Sequence, residues 1–170
     1  GGDYYKPTDA DYEANCEEAR ALLAEAGYEN GEGFPVVEYL YNTSDAHKAV
    51  AEALQYMWEE ELGVKVTLNN QEWAAFLQTR KDGDYSIARN GWIADYNDPI
   101  SFLDMWMTGG GNNDAQYSNE EYDSLIKEAK TTTDVKERME LLHKAEDKII
   151  GEDNALAPLY FYTQKYMLAD

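Results

Sequence analysis

Val36-Val37-Glu38-Tyr39-Leu40-Tyr41 is a β-branched and aromatic run, short enough for a buried strand, and Phe34-Pro35 leads into it. Further on, Val64, Val66 and Leu68 alternate with Lys65, Thr67 and Asn69, the period-2 pattern of a strand with one buried face. Between the two runs, Thr43 or Ser44 caps a helix whose stripe Ala46, Val50, Ala53, Leu54, Met57, Trp58 and Leu62 ends at Gly63. Strand, helix, strand in this order predicts two parallel strands joined by a right-handed crossover.

The same pattern extends outward on both sides. Ala19, Leu22, Leu23 and Ala26 follow Pro7-Thr8 at helical spacing, with Gly27 as the left-handed stop. Trp73, Phe76 and Leu77 predict a helix stopping near Gly83, which feeds a third strand over residues 85–91. From Pro99 the pattern turns helical: a short helix over 99–107, a helix over 122–129 capped by Asn119, and another behind an Asp134/Glu137 capping box with the stripe Val135, Met139, Leu142, Ala145 and Ile149. Residues 156–162 predict a last aromatic strand, with Pro158 favouring an edge, and Tyr39, Tyr41, Tyr160 and Phe161 read as core or sheet residues. Gly109-Gly110-Gly111 with Asn112-Asn113 reads as a flexible connection, since no Lys-Ser/Thr follows for a phosphate cradle. With no repeat and no dividing linker, residues 1–170 are expected to form a single α/β domain.

Composition narrows the function classes. At 170 residues the chain can bury roughly 70% of its unfolded surface, enough for a real core. Lys and Arg number 14 against 34 Asp and Glu, a formal net charge of -20, which argues against nucleic acid or an anionic membrane as unassisted partners. It points to amine-bearing partners or simply to solubility. Hydrophobic residues make up 44% of the chain, with 14 Tyr, 4 Trp and 4 Phe, so intrinsic disorder is set aside. Cys16 stands alone, excluding an internal disulfide or a CxxC metal clip. No stretch approaches the roughly 18 apolar residues of a membrane helix, and the opening Gly1-Gly2-Asp3 reads as a mature form or an excised piece.

In an open α/β sheet, ligands gather beyond the carboxyl ends of parallel strands. Those places here read Tyr41-Asn42-Thr43-Ser44, Asn69-Asn70-Gln71-Glu72-Trp73 and Gly91-Trp92-Ile93-Ala94-Asp95-Tyr96-Asn97-Asp98-Pro99. Amides, hydroxyls and rings suit a pocket built on hydrogen bonds and ring contacts, and the third loop alone brings Trp92, Asp95, Tyr96 and Asn97. Asp95 has two open readings: partner for a ligand ammonium, or cap of a turn or of the helix at Pro99, which Asp98 serves equally well. Arg80 and Arg89, scarce cations here, are either structural ion-pair partners or receivers of a ligand carboxylate.

Enzyme readings find little support. His47 and His143 lie on separate helices without metal-ligand spacing and read as surface or satisfied histidines. There is no Gly-x-Ser-x-Gly elbow and no Walker loop. Asp95 and Asp98 as a glycosidase pair sit only three apart before a proline, a spacing that more often serves one turn. An EF-hand starting at Asp95 fails, with Ile100 where Gly belongs and Trp106 where Glu belongs. Glu17-Glu18 and Glu59-Glu60-Glu61 read as solvated helix faces.

The string Asn70-Gln71-Glu72-Trp73, then Phe76-Leu77, Thr79-Arg80, Ala88-Arg89 and Gly91-Trp92-Ile93-Ala94-Asp95-Tyr96-Asn97-Asp98-Pro99, closely resembles the oligopeptide-binding proteins of ABC importers, which are extracytoplasmic solute-binding proteins. The resemblance continues through Phe102-Leu103, Asn112-Asn113, Tyr117, Tyr122-Asp123, Leu125-Ile126, Ala145-Glu146 and Ala157-Pro158-Leu159-Tyr160, so it covers nearly the whole chain.

The resemblance implies a fold: an α/β, periplasmic-binding-protein-like lobe with a mixed, partly parallel sheet flanked by helices, here the second lobe only of a bilobed receptor. It also implies a site. The peptide runs as an added strand along Gly91, Trp92 and Ile93, Asp95 receives its α-ammonium, Trp73 and Trp92 line side-chain pockets, and Arg80 and Arg89 place side chains or the terminal carboxylate. Tyr96 and Asn97 complete the set, and at Ile93 some relatives carry a small or sulfur-bearing residue. The implied partners are an oligopeptide, the other lobe and an ABC permease, with membrane contact only through a lipid anchor outside this chain, and the place is extracytoplasmic. No cofactor, metal or catalytic residue is expected. The alternatives are a receptor for another solute (dipeptide, nickel complex, haem or sugar), a peptide sensor, or a hydrolase using Asp95 and Asp98. The isolated lobe is expected to bind peptide weakly or not at all.

Overall fold

A computed structural model describes residues 9–163. The elements run α1 (Asp9–Glu25), β1 (Val37–Asn42), α2 (Asp45–Leu62), β2 (Val66–Gln71), α3 (Trp73–Asp82), β3 (Ile87–Ala88), α4 (Ile100–Leu103), α5 (Glu120–Thr131) and α6 (Val135–Glu146), with α6 running on into a π turn over Asp147–Glu152. Short 3-10 turns cover Glu29–Gly31 and Asp104–Trp106.

The helix signals act where the sequence puts them. Gly63 and Gly83 close α2 and α3 in the left-handed conformation, at φ 67° and 73°. Gly63 has a second reason to lack a side chain, since a Cβ there would collide with the Asn30 carbonyl. Asn119 Oδ1 accepts from the Glu121 and Tyr122 amides, and Asp134 Oδ1 from the Glu137 amide, so both expected caps form. Ser44 sits at the N-cap of α2 without a side-chain bond, while Thr43 Oγ1 turns to Asn70 Oδ1 at 2.7 Å.

The sheet has the order β2-β1-β3. Both pairings are parallel, with Val37 opposite Val66 and Tyr39 opposite Ile87. Two sequence expectations need correcting here. Among the described residues the sheet is wholly parallel rather than mixed, and residues 156–162 form no strand: they find no ladder partner, and Tyr160 and Phe161, expected in core or sheet, are exposed, Phe161 to 82%. The third strand shrinks from 85–91 to Ile87–Ala88, extended by one more bond from the Arg89 amide to Leu40 O at 2.8 Å. Beyond that the chain leaves β1, and its backbone is released from the sheet.

Two cores result. Tyr39, Tyr41, Ala51, Val64 and Val66 close the sheet against α2, while Tyr122, Ile126, Leu142, Ala145 and Ile149 hold α5 and α6 together. Burying these side chains supplies the main driving force at each site. The glycine-rich stretch is not the flexible connection expected of it. Asn113 is buried and its Nδ2 lies within 3.2 Å of the Trp106, Met107 and Tyr117 carbonyls, while its Oδ1 accepts from the Tyr117 amide. One amide side chain thus replaces the backbone bonds the turn lacks.

Candidate functional site

The backbone freed after β3 is the centre of the site. Along residues 91–95, exposure alternates: Gly91, Ile93 and Asp95 face solvent and Trp92 and Ala94 face inward, the pattern of an extended chain with one covered side. Ile93 is 69% exposed, an unusual position for a β-branched apolar residue with no sheet around it. Trp92 packs against the helical core, with its Nε1 buried and unbonded. It therefore backs the segment on its inner side. Among the described residues, the backbone groups of Trp92, Ile93 and Ala94 make no hydrogen bond, so they form an open edge ready to pair with another extended chain.

The two ends of this edge are anchored. At its far end the Asp95 amide donates to the hydroxyl of Ser101, a buried residue of α4, at 3.1 Å. At its near end the Gly91 amide donates to Asn90 Oδ1 at 2.8 Å. Neither Ser101 nor Asn90 stands out in the sequence, because each acts through one bond to a backbone amide.

Asp95 and Asp98 differ in their partners. Asp98 Oδ1 accepts from the Ile100 amide and from Arg138 Nη2, both at 2.9 Å, so Asp98 holds the first amide of α4 and is an ion-pair partner of α6. Those bonds, Arg138 first, hold its carboxyl below the ordinary carboxylate range. A carboxylate so engaged is a poor general acid. The Asp95 carboxylate, in contrast, has no hydrogen-bond or ion-pair partner among the described residues and is solvent-facing.

The remaining expected residues fall into two groups. Arg89 stands beside the edge: Nη1 donates to Asn42 Oδ1 at 3.1 Å and Nη2 bonds the Tyr162 hydroxyl, which also lies over Gly91. His47 Nδ1 contacts the Asn42 carbonyl at 3.1 Å, so Asn42 joins a histidine and an arginine at the end of β1. His47, read from the sequence as a surface or satisfied histidine, is satisfied here, and Tyr162, read as part of a strand, is an addition that sequence reasoning passed over. Tyr96 and Asn97 are exposed in the turn after Asp95. Trp73 and Arg80 form the second group on α3. The Trp73 ring, 54% exposed, stacks on Phe76 at 5.8 Å, and the Arg80 guanidinium lies 5.1 Å from the same Phe76 ring. Among the described residues, Arg80 connects to the edge through Asn90.

No group of three or more His, Cys, Asp or Glu side chains among the described residues is placed to hold a metal ion. No described helix is long and apolar enough to cross a membrane.

A parallel α/β layer with helices against it, and an open backbone edge beyond the strands' carboxyl ends, defines a lobe of the periplasmic-binding-protein type. The chain belongs to the bacterial extracellular solute-binding proteins, family 5, whose middle region matches residues 1–114. It is 44% identical over 146 residues to the periplasmic oligopeptide-binding protein OppA of Salmonella typhimurium, covering 86% of this chain and 26% of that protein. With the oligopeptide-binding protein OppA of Bacillus subtilis the identity is 41% over 165 residues, covering 96% of this chain and 30% of the relative. The crystal structure of Haemophilus influenzae OppA in complex with the peptide RPPGFSPFR superposes with a TM-score of 0.80 at 39% identity, over 86% of this chain and 29% of that one. The chain thus spans less than a third of the length of these relatives.

Proposed function

We propose that residues 1–170 are one lobe of a bilobed, extracytoplasmic receptor that captures oligopeptides and delivers them to an ABC permease without chemical change. The observation that carries this reading is the backbone of residues 92–94, unpaired among the described residues, leading into a carboxylate at Asp95 that has no partner among them. A peptide laid along Gly91, Trp92 and Ile93 bonds through main-chain groups common to all sequences, and its ammonium falls to Asp95. Ile93 on the exposed face sets the room beside the first ligand side chains. Arg89, backed by Asn42 and next to His47, serves a ligand carboxylate, and Trp73, Tyr96 and Asn97 line the approach. Trp92 contributes its backbone and a rigid back wall.

The second lobe supplies the other half of the cleft, and hinge closure around the peptide is the change the permease reads. A lipid anchor outside this chain would hold the receptor at the cell surface. The kinship with oligopeptide-binding proteins supports peptides over the other solutes this scaffold serves. The test is calorimetry of the two-lobed receptor against tri- and tetrapeptides. Saturable, sequence-tolerant binding is expected, and a receptor that ignores peptides but binds haem or a dipeptide alone contradicts the reading. The 170-residue chain alone is expected to bind weakly, because half of the ligand's partners lie elsewhere and association still costs several kcal/mol of lost freedom.

A further inference from the structure

We infer that Arg80 is a positioning residue for the open edge, acting through Asn90, and that it does not receive a ligand carboxylate. This inference rests on the peptide-binding reading of residues 91–95 and assigns Arg80 a task within it.

Three contacts fix the guanidinium. Nε donates to Asp114 Oδ2 at 2.7 Å, Nη1 donates to Asn90 Oδ1 at 3.0 Å, and the group lies 5.1 Å from the Phe76 ring centroid. The side chains of Arg80 and Asp114 are only 14% and 15% exposed, so the charge is already matched by a carboxylate in a largely desolvated pair. A ligand carboxylate arriving here would have to share a cation that Asp114 holds. Asp114 is itself anchored, since its backbone carbonyl accepts from the Tyr85 hydroxyl at 2.8 Å.

What Arg80 does for the edge follows from Asn90. Its Oδ1 takes two donors, Arg80 Nη1 and the Gly91 amide, which uses both lone pairs and fixes the side chain's orientation. Gly91 has the widest backbone freedom of any residue type, and it begins the edge. The file Phe76, Arg80, Asn90, Gly91 therefore transmits the rigidity of α3 to the first residue of the edge. It also takes the Gly91 N–H out of the set a bound strand can use, so pairing begins beyond it.

Amide exchange on the 170-residue chain and peptide affinity of the two-lobed receptor test this together. Asn90→Ala and Arg80→Gln should each speed exchange at Gly91 by roughly five- to tenfold, the loss of about one hydrogen bond, with the double variant no faster than either. Asn90→Asp, which keeps the acceptor, should restore the wild-type rate. The Leu40 amide in the sheet is the reference, and if Arg80→Gln loosens Leu40 equally, Arg80→Lys replaces it, keeping the charge but not the fork. In the receptor, Arg80→Gln should weaken free-acid and C-terminally amidated peptides by the same factor. A loss confined to free-acid peptides, or Gly91 exchange indifferent to residue 80, overturns the inference. If the wild-type receptor binds no peptide, the functional reading falls, and exchange at Gly91 still decides what Arg80 positions.

Discussion

Arg138 Nη2 donates to Asp98 Oδ1 at 2.9 Å, joining α6 to the turn in front of α4. The same oxygen accepts from the Ile100 amide, so one carboxylate holds the first amide of one helix and pairs with another. Asp95, three residues earlier, has no carboxylate partner among the described residues.

Asp98 should also matter for acid stability. Arg138 and the Ile100 amide hold its folded pKa below the ordinary value, so the folded state binds this proton less tightly than the unfolded chain does. The stabilisation is complete above the unfolded carboxylate value of about 3.9 and is lost as pH falls through the lower folded value. Asp98→Asn should cost about 1 kcal/mol at neutral pH in urea unfolding and flatten the acid limb below the ordinary carboxylate range. An unchanged acid limb would show that the pair does not discriminate between folded and unfolded chains.

Asn113 should prove to be the keystone of the glycine-rich turn. Asn113→Ala removes the partners of three carbonyls and one amide at once, and a cost of about 2 to 3 kcal/mol in thermal or urea unfolding is expected. A loss under about 0.5 kcal/mol would mean water replaces the side chain without penalty.

Gly63 should tolerate no side chain. Gly63→Ala meets both the left-handed φ and the Asn30 carbonyl, so it should cost more than Gly27→Ala, where φ is positive but nothing lies near the added Cβ. A difference of about 1 kcal/mol or more between the two variants is expected. Equal losses would mean that the turn at Asn30 moves aside freely.

The helical half of the fold was legible because its signals are local. Gly63, Gly83, Asn119 and Asp134 act on amides and carbonyls within a turn of themselves, and each did so as expected. Strands depend on a partner that the local sequence does not contain, which is why residues 156–162 read as a strand and pair with nothing described. The site shows the same division. The aromatic and amide character of residues 91–97 and its place after a parallel strand were readable. What distinguishes Asp98 from Asp95 was not, because the Asp98 carboxylate pairs with Arg138, forty positions further along the chain. Arg80 is a similar case, its guanidinium paired with Asp114 at a separation of 34.

The most direct test of the account is calorimetry of a free-amine peptide and its N-acetylated form against the two-lobed receptor and its Asp95→Ala variant. If Asp95 receives the ammonium, the variant loses about 1 to 3 kcal/mol or more for the free-amine peptide and nothing for the acetylated one. Equal losses for both peptides, or none for either, would contradict the account and return Asp95 to the role of an exposed turn residue.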